Sequence, residues 1–428
     1  MKHILLFGAG KSATVLIDYL KKIATEKNWH VTIADVNLAA VQAKVGDHPL
    51  VKAVGISIEN AAEREALIKD ADAVISLLPP SLHYTVALDC VAFGKHLLTA
   101  SYVDEKIKAL ADDIKTKGLL FLCEMGLDPG IDHMSAMELI HRIREQGGQI
   151  HSFLSHCGGL VTPESDDNPW HYKISWNPRN VVLAGKAGAV YREKSKVKSQ
   201  NYESVFADCG EVSVTNVGRL AWYPNRDSLG YISLYGLEET DTFIRTTLRY
   251  PGFCKGWKYI VGAGLTDDTD LIDTNELSVA SFFRNAFATH GMKLPGEAKE
   301  QFMFLGWNDE TVIGKGTCSS ADILQSILEQ KWILNEHDKD MVVMLHQIGY
   351  SLDGKNYSVN SELVVKGTDN LHTAMAKTVG LPLGIAAILL LENEIEERGL
   401  RLPTVPGIYL PVLKVLKEYS ISFTEEIV

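Results

Sequence analysis

A short glycine turn near the amino terminus constrains the fold of this chain more than any other feature. The run HILLFGAG (3–10) has the pattern of a buried parallel strand, and KSATVLIDYLKKIA (11–24) has that of an amphipathic helix. The turn between them, Gly8-Ala9-Gly10-Lys11-Ser12-Ala13, follows the GxGxxA pattern of a dinucleotide-binding βαβ unit. Backbone amides at the start of such a helix bind phosphates. We therefore expect a bound dinucleotide to contact Gly8, Gly10, Lys11 and Ser12.

An acidic residue at the end of the second predicted strand, HVTIAD (30–35), bears on which dinucleotide binds. Asp35 lies where a carboxylate can accept hydrogen bonds from both hydroxyls of the adenosine ribose. A carboxylate there would repel a 2′-phosphate, and Val36-Asn37 supplies no cation to bind one. The sequence therefore predicts NAD as the cofactor, with NADP less favoured.

Strands and helices alternate over the first part of the chain, which indicates a parallel sheet with helices on both faces. Ligands bind at the carboxyl ends of the strands in such sheets. Two predicted strands end in unusual residues, one at Leu78-Pro79 and one at Ser101-Tyr102. We expect all four residues to lie at the ligand site.

The character of the chain changes after about residue 130. The candidate strands QIHSFLSHC (149–157) and FIRTTLRY (243–250) have no helices between them, whereas residues 265–340 are mostly helical. A hairpin is predicted to turn at Asp353-Gly354. The predicted fold class is α/β, with a Rossmann-type doubly wound parallel sheet, a second α+β mixed-sheet domain and a small helical domain. The predicted boundaries are 1–125 with 390–428 packing back, 126–265 with 340–389, and 266–339.

Composition argues against several classes of partner. The chain has 42 basic and 54 acidic residues and a net charge of −12, which disfavours nucleic acid and anionic membranes. Its six cysteines are scattered without metal-ligand spacing, so we expect no metal and a reduced, cytoplasmic protein. The longest apolar run, 381–391, is too short to cross a bilayer. A small-molecule ligand is the remaining expectation.

Several long sequence blocks resemble the saccharopine reductases, the L-glutamate-forming saccharopine dehydrogenases of lysine metabolism. The resemblance runs from the glycine turn to about residue 381, and its blocks are TASYVDE (99–105), CEMGLDPGIDHMSAMELI (123–140), CGGLVTPESDDNPWHYKISW (157–176), YPNRDS (223–228) and TLRYPGF (247–253). It implies a Rossmann domain, a substrate-binding and dimerisation domain, a small helical domain and a homodimer. It also implies the reversible, nicotinamide-dependent conversion of saccharopine and water to L-glutamate and 2-aminoadipate 6-semialdehyde.

The substrate that this resemblance implies is a secondary amine with three carboxylates. Planar guanidinium groups bind carboxylates through paired hydrogen bonds, so Arg226 and Arg249 are candidate substrate ligands, with a structural ion pair as the alternative for each. The family pattern implies that Thr247, Ser101 and Tyr102 line the same site.

Three residues match polar family positions near the nicotinamide and are candidate proton acceptors: Tyr102, Asp128 and Cys157. Leu127, Asp128 and Ser175 are counted with the cofactor-binding residues. From the residues alone, Asp128 could instead cap a turn or helix start, Cys157 could be a small buried hydrophobe and Tyr102 could serve core packing. His133 and His171 are better interpreted as structural histidines.

Two features depart from the fungal NADP enzymes of this family. Those enzymes carry an arginine just after the second strand, where this chain has Asp35-Val36-Asn37, and Lys11 replaces a hydrophobic residue. Both features favour NAD. Two other functions stay open: a carboxynorspermidine-type reductase, which joins an aldehyde and an amine, and a non-catalytic NAD-binding regulator.

Overall fold

The computed structural model describes residues 1–427, in which the chain forms two compact units. The first comprises Met1–Gly147 and Leu363–Thr424. The second comprises Gly148–Glu362 and the chain from Glu425. The three-domain partition expected from the sequence stays a prediction.

The strands and helices follow one another along the chain with short connections. The strands are β1 (His3–Phe7), β2 (His30–Asp35), β3 (Val51–Gly55), β4 (Ala73–Ser76), β5 (His96–Thr99), β6 (Leu120–Leu122), β7 (Gln149–Val161), β8 (Ala189–Glu193), β9 (Lys196–Gln200), β10 (Gly210–Val214), β11 (Gly218–Pro224), β12 (Arg226–Asp227), β13 (Thr242–Arg249), β14 (Leu271–Asp273), β15 (Thr317–Ser319), β16 (Asp340–Leu352), β17 (Lys355–Lys366), β18 (Gly399–Arg401) and β19 (Thr424–Ile427). The α-helices are α1 (Thr14–Lys27), α2 (Leu38–Val45), α3 (Ala61–Asp70), α4 (Pro80–Phe93), α5 (Glu105–Lys108), α6 (Ala111–Thr116), α7 (Ile131–Glu145), α8 (Pro178–Val182), α9 (Tyr202–Val205), α10 (Pro251–Gly262), α11 (Val279–Thr289), α12 (Lys299–Leu305), α13 (Ser320–Lys331), α14 (Ala374–Leu391) and α15 (Pro406–Glu418).

The first unit is built on a parallel sheet in the order β18-β6-β5-β4-β1-β2-β3. The chain runs outward from β1 through β2 to β3, then returns to β4 on the other side. The ligand crevice of such a sheet lies where this order reverses, at the carboxyl ends of β1 and β4. This sheet confirms the predicted doubly wound fold. The sequence did not predict β3, an edge strand that is only partly buried, or α2, which buries only Val41 and Val45.

One helix of the first unit, α14, is long and apolar enough to cross a membrane by length and composition alone. It is longer than the apolar run 381–391, because it begins seven residues earlier, at Ala374, and spans 18 residues. It packs against α1 and α15, and 89% of its most apolar window is buried within the structure. Such burial is typical of a core helix.

The second unit contains a mixed sheet whose main path is β10-β11-β13-β7-β16-β17-β19. The central pair β13 and β7 is parallel, whereas β7 and β16 are antiparallel. The hairpin formed by β16 and β17 turns at Asp353 and Gly354, both with positive φ, as predicted. The mixed sheet confirms the second part of the predicted fold class.

An aromatic core holds the helices of the second unit. Trp170 contacts the rings of Trp257 and Trp332, and all three side chains are fully buried. Tyr172 packs against Phe253 and Trp332 in the same cluster. These aromatic side chains therefore serve packing within the second unit. They also fix the position of α10, which follows directly after Arg249.

Candidate active site

The glycine turn of the first unit has the geometry of a phosphate-binding loop. Gly8 has φ +97°, and a Cβ added there would lie 2.7 Å from the carbonyl oxygen of Leu77. This position therefore requires glycine. A Cβ at Gly10 would meet no protein atom within 4 Å, so the space beside this residue is open. Lys11 and Ser12 follow in the 3-10 turn that leads into α1. These residues fit a dinucleotide pyrophosphate.

The carboxylate of Asp35 has partners within the protein. One oxygen accepts a hydrogen bond from the backbone N–H of Ala9 at 2.8 Å, and the other accepts from Asn37 N–H at 2.9 Å. Asp35 thus ties the end of β2 to the glycine turn. These backbone partners are additional to the ribose hydroxyls expected from the sequence.

A cation that the sequence argument missed lies against the same turn. Lys44, on α2, donates from Nζ to the carbonyl oxygens of Ala9 and Gly10, each at 2.7 Å. Burial lowers the pKa of Lys44, and the charge of Asp35 acts in the opposite direction. No sequence signal marked Lys44, because its approach to the turn depends on how α2 packs.

At the carboxyl ends of β4 and β5, a buried histidine joins two serines. Nδ1 of His83 lies 2.8 Å from Ser76 Oγ, and its Nε2 lies 2.8 Å from Ser101 Oγ. Burial lowers the pKa of His83 to about 4, so its ring is uncharged at neutral pH. Leu78 and Pro79 lie between β4 and α4, where Pro79 is exposed and Leu78 is half-buried.

A second buried network holds the chain after β6 against the chain after β5. Glu124 donates its backbone N–H to Ser101 O at 3.1 Å, and its Oε1 accepts from Val103 N–H at 3.3 Å. Its Oε2 lies 2.9 Å from Nε2 of His133, which confirms a structural partner for that histidine. An acid directly after a buried strand is a sequence signal that could have identified Glu124.

These bonds bring together two loops that carry predicted site residues. Met125 N–H donates to Thr99 O at 3.0 Å, and a Cβ at Gly126 would lie 3.0 Å from the Cβ of Ala100. The loop with Ser101 and Tyr102, both half-buried, therefore adjoins the loop with Leu127 and Asp128. Leu127 is buried and Asp128, before a cis proline, is half-buried.

In the second unit, three predicted residues share one face of the mixed sheet. Thr247 on β13 is paired in register with Cys157 on β7, and with Tyr223 on β11. Arg249 lies two residues beyond Thr247 and so projects from the same face. Gly158 permits this close pairing, since a Cβ there would lie 2.5 Å from Leu248 O.

Arg249 is a buried cation without an anionic partner among residues 1–427. Its side chain is 4% exposed, its Nε has no hydrogen-bond partner, and its Nη1 donates to Leu248 O at 2.8 Å. The guanidinium lies over the rings of Tyr172 and Phe253 at 5.3 and 5.4 Å. Burial raises the pKa of Tyr223 to about 12, whereas the nearby Arg249 acts to lower it. Such a cation is suited to bind an incoming carboxylate.

The structure does not place Arg226 next to Arg249. Arg226 is exposed, has φ 52° and lies on β12, which pairs with β8. The preceding Asn225 donates its N–H to the carbonyl oxygen of Arg245. Arg245 lies four residues before Arg249 on β13, a separation of about 13 Å along the strand. Arg245 shares the face of Arg249 and stacks on Tyr231 at 4.2 Å.

The remaining predicted residues of the second unit lie in the loop before α8. Ser175 is buried three residues after Tyr172, whose ring contacts Arg249. His171 in the same loop is bonded to Asp166 at 2.6 Å, and its structural interpretation stays a prediction. Among residues 1–427, no cluster of three or more His, Cys, Asp or Glu side chains could hold a metal ion.

Comparison with known proteins gives two family matches that together cover nearly the whole chain. Residues 4–122 match the saccharopine dehydrogenase NADP binding domain, and residues 126–421 match the saccharopine dehydrogenase C-terminal domain. A saccharopine dehydrogenase [NADP(+), L-glutamate-forming] of Saccharomyces cerevisiae is 32% identical over 100% of this chain and 99% of its own length. The solved structure of apo saccharopine dehydrogenase (L-Glu forming) from the same yeast matches with a TM-score of 0.88 at 32% identity, covering 100% of both chains.

A longer plant protein is also similar. The alpha-aminoadipic semialdehyde synthase of Arabidopsis thaliana is 31% identical over 99% of this chain. This chain spans only 44% of the length of that relative.

The comparisons overturn the expectation of NAD over NADP. The yeast relative, and a similar one from Schizosaccharomyces pombe, have names that specify NADP(+), and the amino-terminal family match is to an NADP binding domain. The expectation weighed the charge of Asp35 alone. In the structure each oxygen of Asp35 accepts a backbone N–H, and the Lys44 ammonium lies against the same turn, so the local charge is not that of Asp35 by itself.

Proposed function

Because the chain belongs to the saccharopine dehydrogenase family, we propose that it oxidises saccharopine with NADP⁺. Saccharopine, water and NADP⁺ would give L-glutamate, 2-aminoadipate 6-semialdehyde, NADPH and a proton, and the reaction would be reversible. Arg249 is the observation that carries the proposal, because a buried guanidinium without an anionic partner fits a substrate rich in carboxylates.

The residues of the glycine turn fit the cofactor. Backbone amides of the turn and the open space beside Gly10 would hold the pyrophosphate. Lys44 and Lys11 would supply positive charge for a 2′-phosphate, since the first contacts the turn and the second lies in it. When bound, the nicotinamide supplies a hydride acceptor.

On the substrate side, Arg249 would hold a carboxylate, and Thr247 and Cys157 lie beside it on the sheet. A charge-assisted hydrogen bond of this kind contributes about 1.5–3 kcal/mol. Arg226, on β12 and next to the residue that bonds Arg245, is suited to a different carboxylate of the same molecule rather than to the one at Arg249.

The amine must lose a proton before its neighbouring carbon is oxidised, and water then adds to the resulting imine. Tyr102, Asp128 and Cys157 stay the candidate proton acceptors. A positioned acceptor would contribute about 10²–10⁴-fold to the rate. A homodimeric state and a cytoplasmic location also stay predictions.

The proposal is tested by following reduced nicotinamide spectrophotometrically, with saccharopine and NADP⁺ as substrates. Turnover of saccharopine is the expected result. Carboxynorspermidine serves as the matched control amine, because a reductase of that type would oxidise it instead. Binding of NADPH without turnover of either amine would support the regulator and reject the proposal.

A further inference from the structure

A buried hydrogen-bond chain in the first unit ends at Ser101, a proposed substrate ligand. It runs from Ser76 Oγ through the ring of His83 to Ser101 Oγ, with both distances 2.8 Å. Ser76 and His83 are 0% and 2% exposed, whereas Ser101 is only half-buried. This hydrogen-bond chain therefore links the buried Ser76 to the Ser101 hydroxyl, which lies at the carboxyl ends of the strands.

Which group donates and which accepts in each of these hydrogen bonds follows from the hydrogens that Ser76 and His83 carry. An uncharged imidazole carries one N–H and one lone pair, so its two ring nitrogens differ. His83 is the one side-chain partner of the buried Ser76 hydroxyl in the described chain. If Nδ1 carried the hydrogen, the hydroxyl hydrogen of Ser76 would be buried without an acceptor, which is unfavourable. Ser76 therefore donates to Nδ1, and the ring hydrogen lies on Nε2.

The surroundings of Nε2 agree with this tautomer. It faces two oxygens, Ser101 Oγ at 2.8 Å and Thr99 Oγ1 at 3.4 Å, and its N–H is directed along the shorter contact, to Ser101. Thr99 Oγ1 also accepts the backbone N–H of Ser101 at 3.2 Å. With Nε2–H donating to Ser101 Oγ, the hydroxyl hydrogen of Ser101 is directed away from the histidine.

The backbone that carries Ser101 is fixed as well. Glu124 donates its N–H to Ser101 O at 3.1 Å and accepts Val103 N–H at 3.3 Å, and its other carboxylate oxygen is bonded to His133. Glu124 is 4% exposed and adopts φ 56° to make these bonds. Both the backbone and the hydroxyl of Ser101 are thus held in place.

We propose that His83 is a positioning residue that makes the Ser101 hydroxyl a hydrogen-bond donor toward a carboxylate of the substrate. This inference rests on the proposed function for the identity of that substrate. His83 is not a proton acceptor for the reaction. The hydrogen-bond chain ends at Ser76, and because Ser76 is fully buried, a proton has no route from there to solvent.

The test compares two polar substitutions of His83 that differ in which ring nitrogen they replace. In His83→Gln the side-chain amide can reach the position of Nε2 and donate to Ser101. In His83→Asn it reaches only the position of Nδ1. We expect His83→Asn and Ser101→Ala each to raise KM and the dissociation constant for saccharopine about tenfold or more, with a smaller change in kcat. His83→Gln should retain most of the affinity.

The double variant separates positioning from a general structural role. If His83 acts through Ser101, His83→Asn should add no further loss of saccharopine affinity in the Ser101→Ala background. His96→Gln is the structural control, because His96 is also an uncharged histidine of this sheet but lies at the amino end of β5, where it accepts Leu120 N–H. It should leave the dissociation constant unchanged.

A spectroscopic measurement on the unaltered protein tests the tautomer itself. The ¹⁵N resonances of His83 should show a protonated Nε2 and an unprotonated Nδ1. The opposite tautomer would overturn the proposal, as would additive losses in the double variant or unchanged affinity in a folded His83→Asn variant. If the unaltered protein neither binds nor oxidises saccharopine, the proposed function fails, whereas the ¹⁵N result still decides the state of His83.

Discussion

The two polar regions of this molecule satisfy their hydrogen bonds in different ways. At the carboxyl edge of the parallel sheet, His83, Glu124 and Asp35 all have protein partners. On the mixed sheet, Arg249 is buried with an unpaired Nε and no carboxylate partner in the described chain. Internal partners keep a site rigid before a ligand binds, whereas an unpaired buried cation is unfavourable until an anion arrives. The first region is built for positioning and the second for charge recognition.

The largest effect should come from removing the unpaired charge. Arg249→Met should lower kcat/KM for saccharopine about 100-fold, because a charge-assisted contact to the substrate is lost. Its melting temperature should stay the same or rise, since an uncompensated buried cation is replaced by an apolar side chain. Steady-state kinetics and thermal unfolding on the same preparation measure both.

Arg219→Met is the matched control in the same sheet. Arg219 is exposed and pairs with Glu211 at 3.3 Å across β10 and β11. Its replacement should change neither kinetics nor stability appreciably. A fall in stability of Arg249→Met with unchanged kinetics would mean that Arg249 is a structural residue, and the comparison between the two regions would fail.

Two glycines of the same turn should respond differently to one added methyl group. Gly8→Ala should destabilise the protein by about 1–3 kcal/mol, because its φ is +97° and the methyl would meet Leu77 O. Gly10→Ala should leave the free energy of unfolding nearly unchanged but weaken NADPH binding, since its methyl would occupy open space. Urea unfolding and NADPH fluorescence titration separate the two. Equal stability losses would contradict the assignment of that space to the cofactor.

Each region contains a buried histidine that should make the protein sensitive to acid. Burial lowers the pKa of His83 and of His156 from 6.5 to about 4. Since the unfolded chain binds these protons at higher pH, the stabilisation is complete above about pH 6.5 and is lost as the pH falls toward 4. Each histidine should contribute a slope of about 1.4 kcal/mol per pH unit in that window.

Replacing either histidine should remove its share of this slope. His83→Gln and His156→Gln, unfolded in urea at a series of pH values, provide the measurement. His156 is bonded to Thr246 and Gln347, so this effect should occur in the second unit as well as in the first. Slopes identical to that of the unaltered protein would show that these rings do not stay uncharged.

The smallest effect concerns the choice of dinucleotide. Lys44→Met should weaken NADPH binding about tenfold, since one charge-assisted contact to the 2′-phosphate is lost, and should affect NADH much less. Parallel titrations with the two reduced cofactors give the ratio. Equal weakening of both would mean that Lys44 only shapes the turn through Ala9 and Gly10.

The sequence predicted those parts of the fold that follow from local pattern. The strand, glycine turn and helix at residues 3–24 and the hairpin at Asp353-Gly354 combine periodicity with specific turn residues, so neighbouring residues are sufficient to identify them. β3 and α2 were not predicted because they are mostly exposed or half-buried: only Val51 of β3, and Val41 and Val45 of α2, are buried, so neither segment has a clear apolar pattern.

The candidate site was only partly predictable, because some of its contacts join residues far apart in the chain. Ser101 was proposed from its position at a strand end, and Arg249 from the family resemblance and the carboxylates of the substrate that it implies. The pairing of His83 with Ser101, and of Lys44 with the glycine turn, depends on how α4 and α2 pack on the sheet. The expectation of NAD, which the comparisons overturn, likewise rested on Asp35 alone and could not include Lys44, which reaches the turn only through the packing of α2.

The central claim is that Arg249 has no anionic partner in the free protein, so that a carboxylate of the substrate can bind its guanidinium. The most direct measurement is calorimetric titration of saccharopine into the unaltered protein, Arg249→Met and Arg219→Met, each saturated with NADPH. The account predicts binding to the unaltered protein and to Arg219→Met with equal affinity, and about 100-fold weaker binding to Arg249→Met. Equal affinity for all three would contradict it.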